Sequence, residues 1–209
     1  MRCIVIADTH GRPELIKNAI KHSNYDKYHD RLIHAGDFID IGSDPIGCWK
    51  LLDNYNAEML WGNHDLAILL KRYISLQDPY SRNLYHEIFK RQNEFKVAAN
   101  HNNVLITHAG LSSNFLPHGL TVEQITDTLN DMNLRDMWCD DSPLWFRPRN
   151  KLPYPEIIQV CGHTPPEWSD IIENYYMVDP YISKGFDKPN RYRYAVIEDG
   201  IVTIIDSEK

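Results

Sequence analysis

Five short polar clusters fall in order along the chain: Asp8-Thr9-His10, Gly36-Asp37-Phe38-Ile39-Asp40, Gly62-Asn63-His64-Asp65, Thr107-His108-Ala109-Gly110 and Gly162-His163-Thr164. At least four of them directly follow a short apolar run rich in Ile, Val and Leu. Such a run, ending in polar loop residues, reads as a buried strand. Ligands at the ends of adjacent strands converge in space, so the clusters point to one shared site. Asp, His and Asn are ligands that Mn²⁺, Fe and Zn²⁺ accept. Two cations about 3.5–4 Å apart are a recurring device for hydrolysing phosphate esters.

The rest of the pattern supplies a frame for these strand ends. Strands are predicted at residues 2–7, 31–35, 57–61 and 103–107. Helices are predicted at 13–22, 44–53, about 64–76 and 121–132, with a polar, aromatic helical stretch over 81–99. Pro13 suits a first helical turn, and Ser43 or Asp44 is a cap for the second helix. Residues 133–155 carry Trp138, Trp145 and Phe146 among several prolines and read as an ordered, irregular loop. Strands follow at 157–161, 175–179, 192–198 and 201–206, the last pair joined by the hairpin signal Asp199-Gly200. Strands alternating with helices, then a run of strands, predict a layered α/β core with an antiparallel element at its C-terminal end. A chain of 209 residues reads as a single domain spanning 1–209.

Composition removes several alternatives. The formal net charge of −7, with no basic stripe, argues against affinity for a nucleic acid backbone. An acidic protein that handles phosphate must offset charge locally, and bound cations do so. Cys3, Cys48, Cys139 and Cys161 contain no C-x-x-C pair, which favours reduced, packed thiols over a disulfide framework or structural zinc. No window approaches the ~18 apolar residues of a membrane span. With no leader signature after Met1-Arg2, a cytoplasmic location is the expectation.

Each cluster has an ordinary reading when taken alone. Asp-x-His at a strand end is usually a solvated loop, and Gly-Asn-His-Asp a turn that caps the next helix. Together, the series D-x-H, G-D-x-x-D, G-N-H-[DE], a later His and G-H-T resembles the calcineurin-like metallophosphoesterase superfamily. Asp8-Thr9-His10-Gly11 and Gly162-His163-Thr164 resemble its phosphoprotein phosphatase branch, which includes bacterial and phage Ser/Thr phosphatases and diadenosine tetraphosphatases. The resemblance implies a layered α/β metallophosphoesterase fold, with central mixed β-sheets flanked by helices and a dinuclear metal site at strand ends. It implies that Asp8 and His10 bind one metal, that Asp37 bridges both, and that Asn63, His108 and His163 complete the second. Two divalent ions are then the cofactors, Mn²⁺ first, with Fe or Zn²⁺ also accepted. Attack would come from a hydroxide shared by both ions. His64 matches the family's catalytic histidine, which protonates the leaving oxygen or binds the phosphoryl group. Asp40 would orient His64 and favour its imidazolium.

The chain also departs from that pattern. Ile41 stands where the phosphoprotein phosphatases usually carry a phosphate-binding Arg, and Asp65 replaces a Glu. A bidentate Arg–phosphate contact is strong and directional, so its absence weakens the protein phosphatase reading. Ser142-Pro143-Leu144-Trp145-Phe146-Arg147-Pro148-Arg149 resembles the family's Trp–Arg segment. Arg147 is the candidate phosphate ligand and Arg149 the reserve; pairing with Asp140, Asp141 or Glu156 is the competing reading. Trp138, Trp145, Phe146 and Tyr154 would either stack on a nucleobase or form the core of an insertion, and Tyr175, Tyr176, Tyr181, Tyr192 and Tyr194 read as packing and rim residues.

The expected substrate is a small phosphate ester, a nucleotide or a phosphoprotein, cleaved at a phosphomonoester or a phosphoanhydride. A phosphodiesterase or nuclease is the enzymatic alternative. It is disfavoured by Pro165, which stands where many phosphodiesterases place a second His. A non-catalytic scaffold that binds a protein partner is the remaining reading, and it would be expected to have lost ligands that are present here.

Overall fold

The computed structural model describes residues 1–79, 81–148, 151–164, 172–180 and 192–207. In chain order its elements are β1 (Arg2–Ile6), α1 (Pro13–Ser23), β2 (Asp30–His34), α2 (Pro45–Asn54), β3 (Glu58–Met59) and α3 (Asn63–Leu69). After a 3₁₀ turn at Ser81–Leu84 come α4 (Tyr85–Lys90), a 3₁₀ turn at Gln92–Glu94, β4 (Ala98–His101), β5 (Val104–Thr107) and α5 (Val122–Asp131). The rest is β6 (Ile158–Cys161), β7 (Tyr175–Met177), β8 (Arg193–Glu198) and β9 (Ile201–Asp206).

The strands form two mixed sheets, ordered β3-β2-β1-β8-β9 and β4-β5-β6-β7. Strand β1 shows why they pack as layers. Successive side chains point to opposite faces, and β1 is apolar on both. Ile4 and Ile6 pack with Ile16, Ala19 and Ile20 of α1. Cys3 and Val5 instead meet Ile33, Val104, Ile106 and Val160 in the layer between the sheets. Strand β5 repeats the logic, its Leu105 joining Ile125 and Leu129 of α5 on the outer side. Among the described residues, no helix is long and apolar enough to cross a membrane.

Most predicted elements are present, and the C-terminal hairpin β8–β9 forms at Asp199-Gly200 as expected. Two differences stand out. The helix expected over 64–76 ends at Leu69, because Lys71 turns left-handed at φ 54°. Lys71 N then donates to Ile68 O and Arg72 N to Ala67 O, the paired bonds of a Schellman stop, here without its usual glycine. The helical stretch expected over 81–99 is broken by 3₁₀ turns and ends in strand β4, whose Ala98-Ala99-Asn100-His101 has little intrinsic β preference. What makes it a strand is its pairing with β5 through Asn102 and Asn103, both left-handed at φ 50° and 62°. Asn is tolerated at both positions of a type I′ turn, a signal visible in the sequence.

One ion-pair cluster at the sheet edge ties β2 to β3. Glu58 accepts from Arg31 Nη2 at 2.7 Å and from Lys96 Nζ at 3.0 Å. Burial alone would raise the Glu58 carboxyl, but Arg31 and Lys96 outweigh it and hold it below its ordinary value. A depressed carboxylate stabilises the fold above its unfolded value, and that contribution is lost as the pH falls through the folded one. Glu58→Gln is therefore expected to lower stability by about 1 kcal/mol at neutral pH, or about 2–4 °C in Tm. Thermal melts at neutral pH and near pH 3 test this. An equal deficit at both would remove the ion pairs as its cause.

Candidate metal centre

Strands β1, β2 and β3 run parallel, as do β5, β6 and β7. The loops leaving their C-terminal ends meet, as open parallel sheets dictate. Backbone bonds lock them together: Asp8 N donates to Gly36 O at 3.0 Å, and Gly162 N to His108 O at 2.7 Å.

Two convergent groups of ligand atoms result, His10–Asp37–His64 and Asp37–His108–His163, all buried, with Asp37 common to both. His108 Nδ1 lies 2.9 Å from Ala35 O, and a carbonyl only accepts, so that nitrogen carries the proton. The lone pair on Nε2 of the neutral ring then faces Asn63 Oδ1 at 2.9 Å, His163 Nδ1 at 3.2 Å and Asp37 Oδ2 at 3.5 Å. His10 repeats the arrangement, Nδ1 donating to Ile39 O at 2.7 Å and Nε2 facing Asp37 Oδ2 at 3.6 Å.

The electrostatics leave these groups able to act as ligands. Burial pushes His10 down to about 4, with His64 and His108 acting the same way against Asp37. Burial also lowers His108 and, aided by His108 and Arg147, takes His163 well below its ordinary value. For Asp37, burial is outweighed by His108, His64, His10 and His163, which hold the carboxyl below its usual range. Neutral imidazoles, an amide oxygen and a carboxylate therefore converge with few protons to share. Such a donor set fits divalent cations.

Asp8 stands outside both groups. Its carboxylate accepts the His163 N–H at 2.9 Å, and burial, Asp179 and Asp37 raise its pKa. Two glycines make room for this packing. A Cβ on Gly162 would fall on Asp8 Oδ2, and one on Gly62 would fall on Asp37 Oδ1. Gly62, at φ −100°, is needed for space and not for conformational freedom. Gly162→Ala is expected to displace the Asp8 carboxylate and to weaken Mn²⁺ binding about 10–100-fold, measured by calorimetric titration. Wild-type affinity would remove Asp8 from the centre.

The backbone itself is held under strain. Asp8, His10, Asp37, Asp40 and His163 have φ of 50°, 40°, 59°, 65° and 64°, and Ile41 follows at 63°. A left-handed L-residue costs about 1–2 kcal/mol, less for Asp. Such strain persists only where the surrounding fold over-determines it.

Beside the two groups, His64 Nδ1 lies 2.7 Å from Asp40 Oδ2, and His64 N donates to Asp37 Oδ1 at 2.9 Å. Burial opposes charge on His64, but Asp37 and Asp40 prevail and its pKa is raised. Asp40 is fully buried; its second oxygen accepts from Asp78 N at 3.0 Å, and its own N–H donates to Ser81 Oγ at 2.8 Å. Arg147 reaches the site from the loop, Nη1 donating to His163 O at 2.8 Å. Asp141 pairs with Lys151 at 2.8 Å. Arg149, Pro165 and Tyr181 lie outside the described residues. Phe146 and Tyr154 are buried core residues and so are not available for stacking, whereas Trp145 sits edge-on to His163.

Two contributors, His34 and Asp179, escaped the sequence reading, and a third, Asp65, was read there only as part of a turn and as the replacement of a Glu. Asp65 Oδ2 accepts both Asp37 N at 2.7 Å and Gly62 N at 3.0 Å, pinning two clusters to each other. His34 lies beneath them, 3.0 Å from Thr9 Oγ1 and pushed down to about 3 by burial. Asp179, after β7, is buried near Asp8 and Arg147. Its signal was the one used for the others, an acidic residue at a strand end.

The family model for calcineurin-like phosphoesterases matches residues 1–204. Serine/threonine-protein phosphatase 1 of Salmonella typhimurium is 33% identical over 65 residues, which are 31% of this chain and 30% of that protein. The symmetrical bis(5'-nucleosyl)-tetraphosphatase of Actinobacillus succinogenes is 26% identical over 125 residues, 54% of this chain and 45% of that protein. The matches thus span less than half the length of either relative. The crystal structure of a mutant cold-active protein tyrosine phosphatase shares the fold, with a TM-score of 0.73 over 98% of this chain and 80% of that one, at 17% identity.

Proposed function

The chain belongs to the calcineurin-like phosphoesterase family, and from that premise we propose that it is a dinuclear metal-dependent phosphoesterase that hydrolyses phosphomonoesters or nucleotide phosphoanhydrides. The observation that carries the reading is Asp37, one buried carboxylate shared by two convergent ligand groups. Two divalent cations, Mn²⁺ first, would be held by Asp8, His10, Asp37, Asn63, His108 and His163. When bound, they supply Lewis acidity at the phosphoryl oxygens and lower the pKa of water toward neutrality.

The chain's own groups do the rest. The Asp37 carboxylate would offset the repulsion between two bound cations. His64, with Nδ1 on Asp40, presents Nε2 to the leaving oxygen and delivers a proton there as the P–O bond breaks. Asp40 stabilises the imidazolium and holds the ring's orientation, itself held by Asp78 N and Ser81 Oγ. Arg147, anchored on His163 O, adds a cation for the phosphoryl oxygens.

The test is a Mn²⁺-supplemented panel on purified protein, with p-nitrophenyl phosphate, bis-p-nitrophenyl phosphate, diadenosine tetraphosphate and a phosphopeptide, each with a chelator control. Chelator-sensitive turnover of the monoester or the anhydride is expected. No turnover of any of them, with two metals bound by elemental analysis, would overturn the enzymatic reading. Preference for the diester would replace it with a phosphodiesterase.

A further inference from the structure

His34 ends β2 with a fully buried imidazole. Leu32, two residues earlier on the same face, packs in the apolar layer with Ile16 of α1 and Leu52 of α2. Phe38 of that layer stands edge-on to the imidazole, with 6.3 Å between ring centroids. Nε2 lies 3.0 Å from Thr9 Oγ1, whereas Nδ1 meets no partner among the described residues. A ring nitrogen left bare in an apolar layer costs stability that a leucine in its place would not. Packing therefore does not account for a histidine here, and the bond to Thr9 is the one polar contact its ring makes among the described residues. That bond forms in either neutral tautomer, because a hydroxyl both donates and accepts.

Thr9 is the middle of a strained span. Asp8 and His10 on either side are left-handed, at φ 50° and 40°. The backbone fastens the flanks: Asp8 N donates to Gly36 O at 3.0 Å, His10 N to Asp37 O at 3.0 Å and Gly11 N to Phe38 O at 2.8 Å. Between them the Thr9 side chain reaches His34, and it also meets the Cys48 thiol of α2, which burial pushes up to about 12. His34 belongs to the strand that runs on into Asp37, so the bond sets the span holding Asp8 and His10 against the shared carboxylate. His10 Nε2 faces that carboxylate at 3.6 Å. Strained residues keep their geometry only where the fold over-determines it.

We propose that His34 is a positioning residue for the metal centre, acting through the Thr9 hydroxyl to hold Asp8 and His10 in ligating geometry. The inference rests on the dinuclear reading and concerns the ion that Asp8 and His10 would bind. His34 touches neither that ion nor the substrate. It fixes the backbone from which two ligands project, as partners behind a ligand set commonly do.

The experiment compares wild type with His34→Leu, Thr9→Val, the double variant and His34→Gln. It measures Mn²⁺ binding by calorimetry and thermal melts of the metal-free proteins. His34→Leu and Thr9→Val are each expected to weaken one Mn²⁺ ion by about 10–100-fold. Metal-free His34→Leu should melt no lower than wild type, because the bare Nδ1 leaves with the ring. Thr9→Val should melt lower, because it strands Nε2 as well. In the double variant Tm should recover while affinity stays as low as in either single variant, since both substitutions remove the same bond. His34→Gln, whose amide can bond Thr9 in place of Nε2, should retain wild-type affinity. If both single variants bind two Mn²⁺ ions as wild type does, the positioning role is overturned and the dinuclear reading stands. Affinity that returns with Tm in the double variant would also overturn it, because the loss would then be one of stability. If wild type binds a single Mn²⁺ ion that His34→Leu weakens, the positioning role stands and the dinuclear reading fails. If wild type binds none, both fail.

Discussion

Asp37→Asn is expected to abolish turnover and to release at least one bound metal, while the metal-free protein melts within a few degrees of wild type. Asn has the same shape, so Oδ1 still accepts the His64 N–H now held at 2.9 Å. The other terminal atom changes from acceptor to donor. Asp37 Oδ2 faces His108 Nε2 at 3.5 Å and His10 Nε2 at 3.6 Å. An amide N–H₂ in its place would donate to those lone pairs and take the position a cation needs. A buried negative charge that offsets two dications is lost at the same time. Elemental analysis and the chelator-controlled panel measure the outcome. Full activity, or two metals retained, would sink the dinuclear assignment.

His64→Ala is expected to keep both metals and to lower kcat by about 10²–10⁴-fold, the usual contribution of a positioned general acid. The largest loss should fall on substrates with poor leaving groups. A near-wild-type rate on diadenosine tetraphosphate would remove His64 from the mechanism. Asp40→Asn gives a separable signature. Asp37 and Asp40 raise the His64 pKa against the effect of burial, so the imidazolium survives to higher pH. A general acid must be protonated, so kcat falls as the pH rises through that raised value. Without the Asp40 carboxylate the alkaline fall begins at lower pH, and an unshifted limb would show that Asp40 acts only by packing. Asp40 also receives Asp78 N, so thermal melts of the variant keep the loop's contribution apart from the proton's.

Much of this was legible in the chain. Ile4, Ile6, Cys3 and Val5 form an unbroken apolar run, which only a strand buried on both faces explains, and β1 is that strand. The same local rule located β2, β5 and β6 and put the polar clusters at their ends. Strands β3 and β4 were harder. Strand β3 lies within the predicted 57–61 but is shortened to Glu58 and Met59, whereas β4 is made a strand by its partner across Asn102-Asn103 and is not encoded by its own propensity. The end of α3 at Lys71 was hidden because a lysine occupies the left-handed position where a glycine would have announced the stop.

The candidate ligands and their order belong to the sequence, because residue type decides which atoms can hold a cation and strand pattern decides which loops carry them. Only the tertiary structure decided how they meet. Asp37 is shared between two groups, Asp8 sits apart on the His163 N–H, and Asp65, 28 positions along the chain from Asp37, pins it to Gly62. The bond between His34 and Thr9 likewise joins residues 25 positions apart. Propensity and pattern act within a few residues of chain, whereas distances, protonation and strain at a site are set by segments that meet only after the sheets have packed.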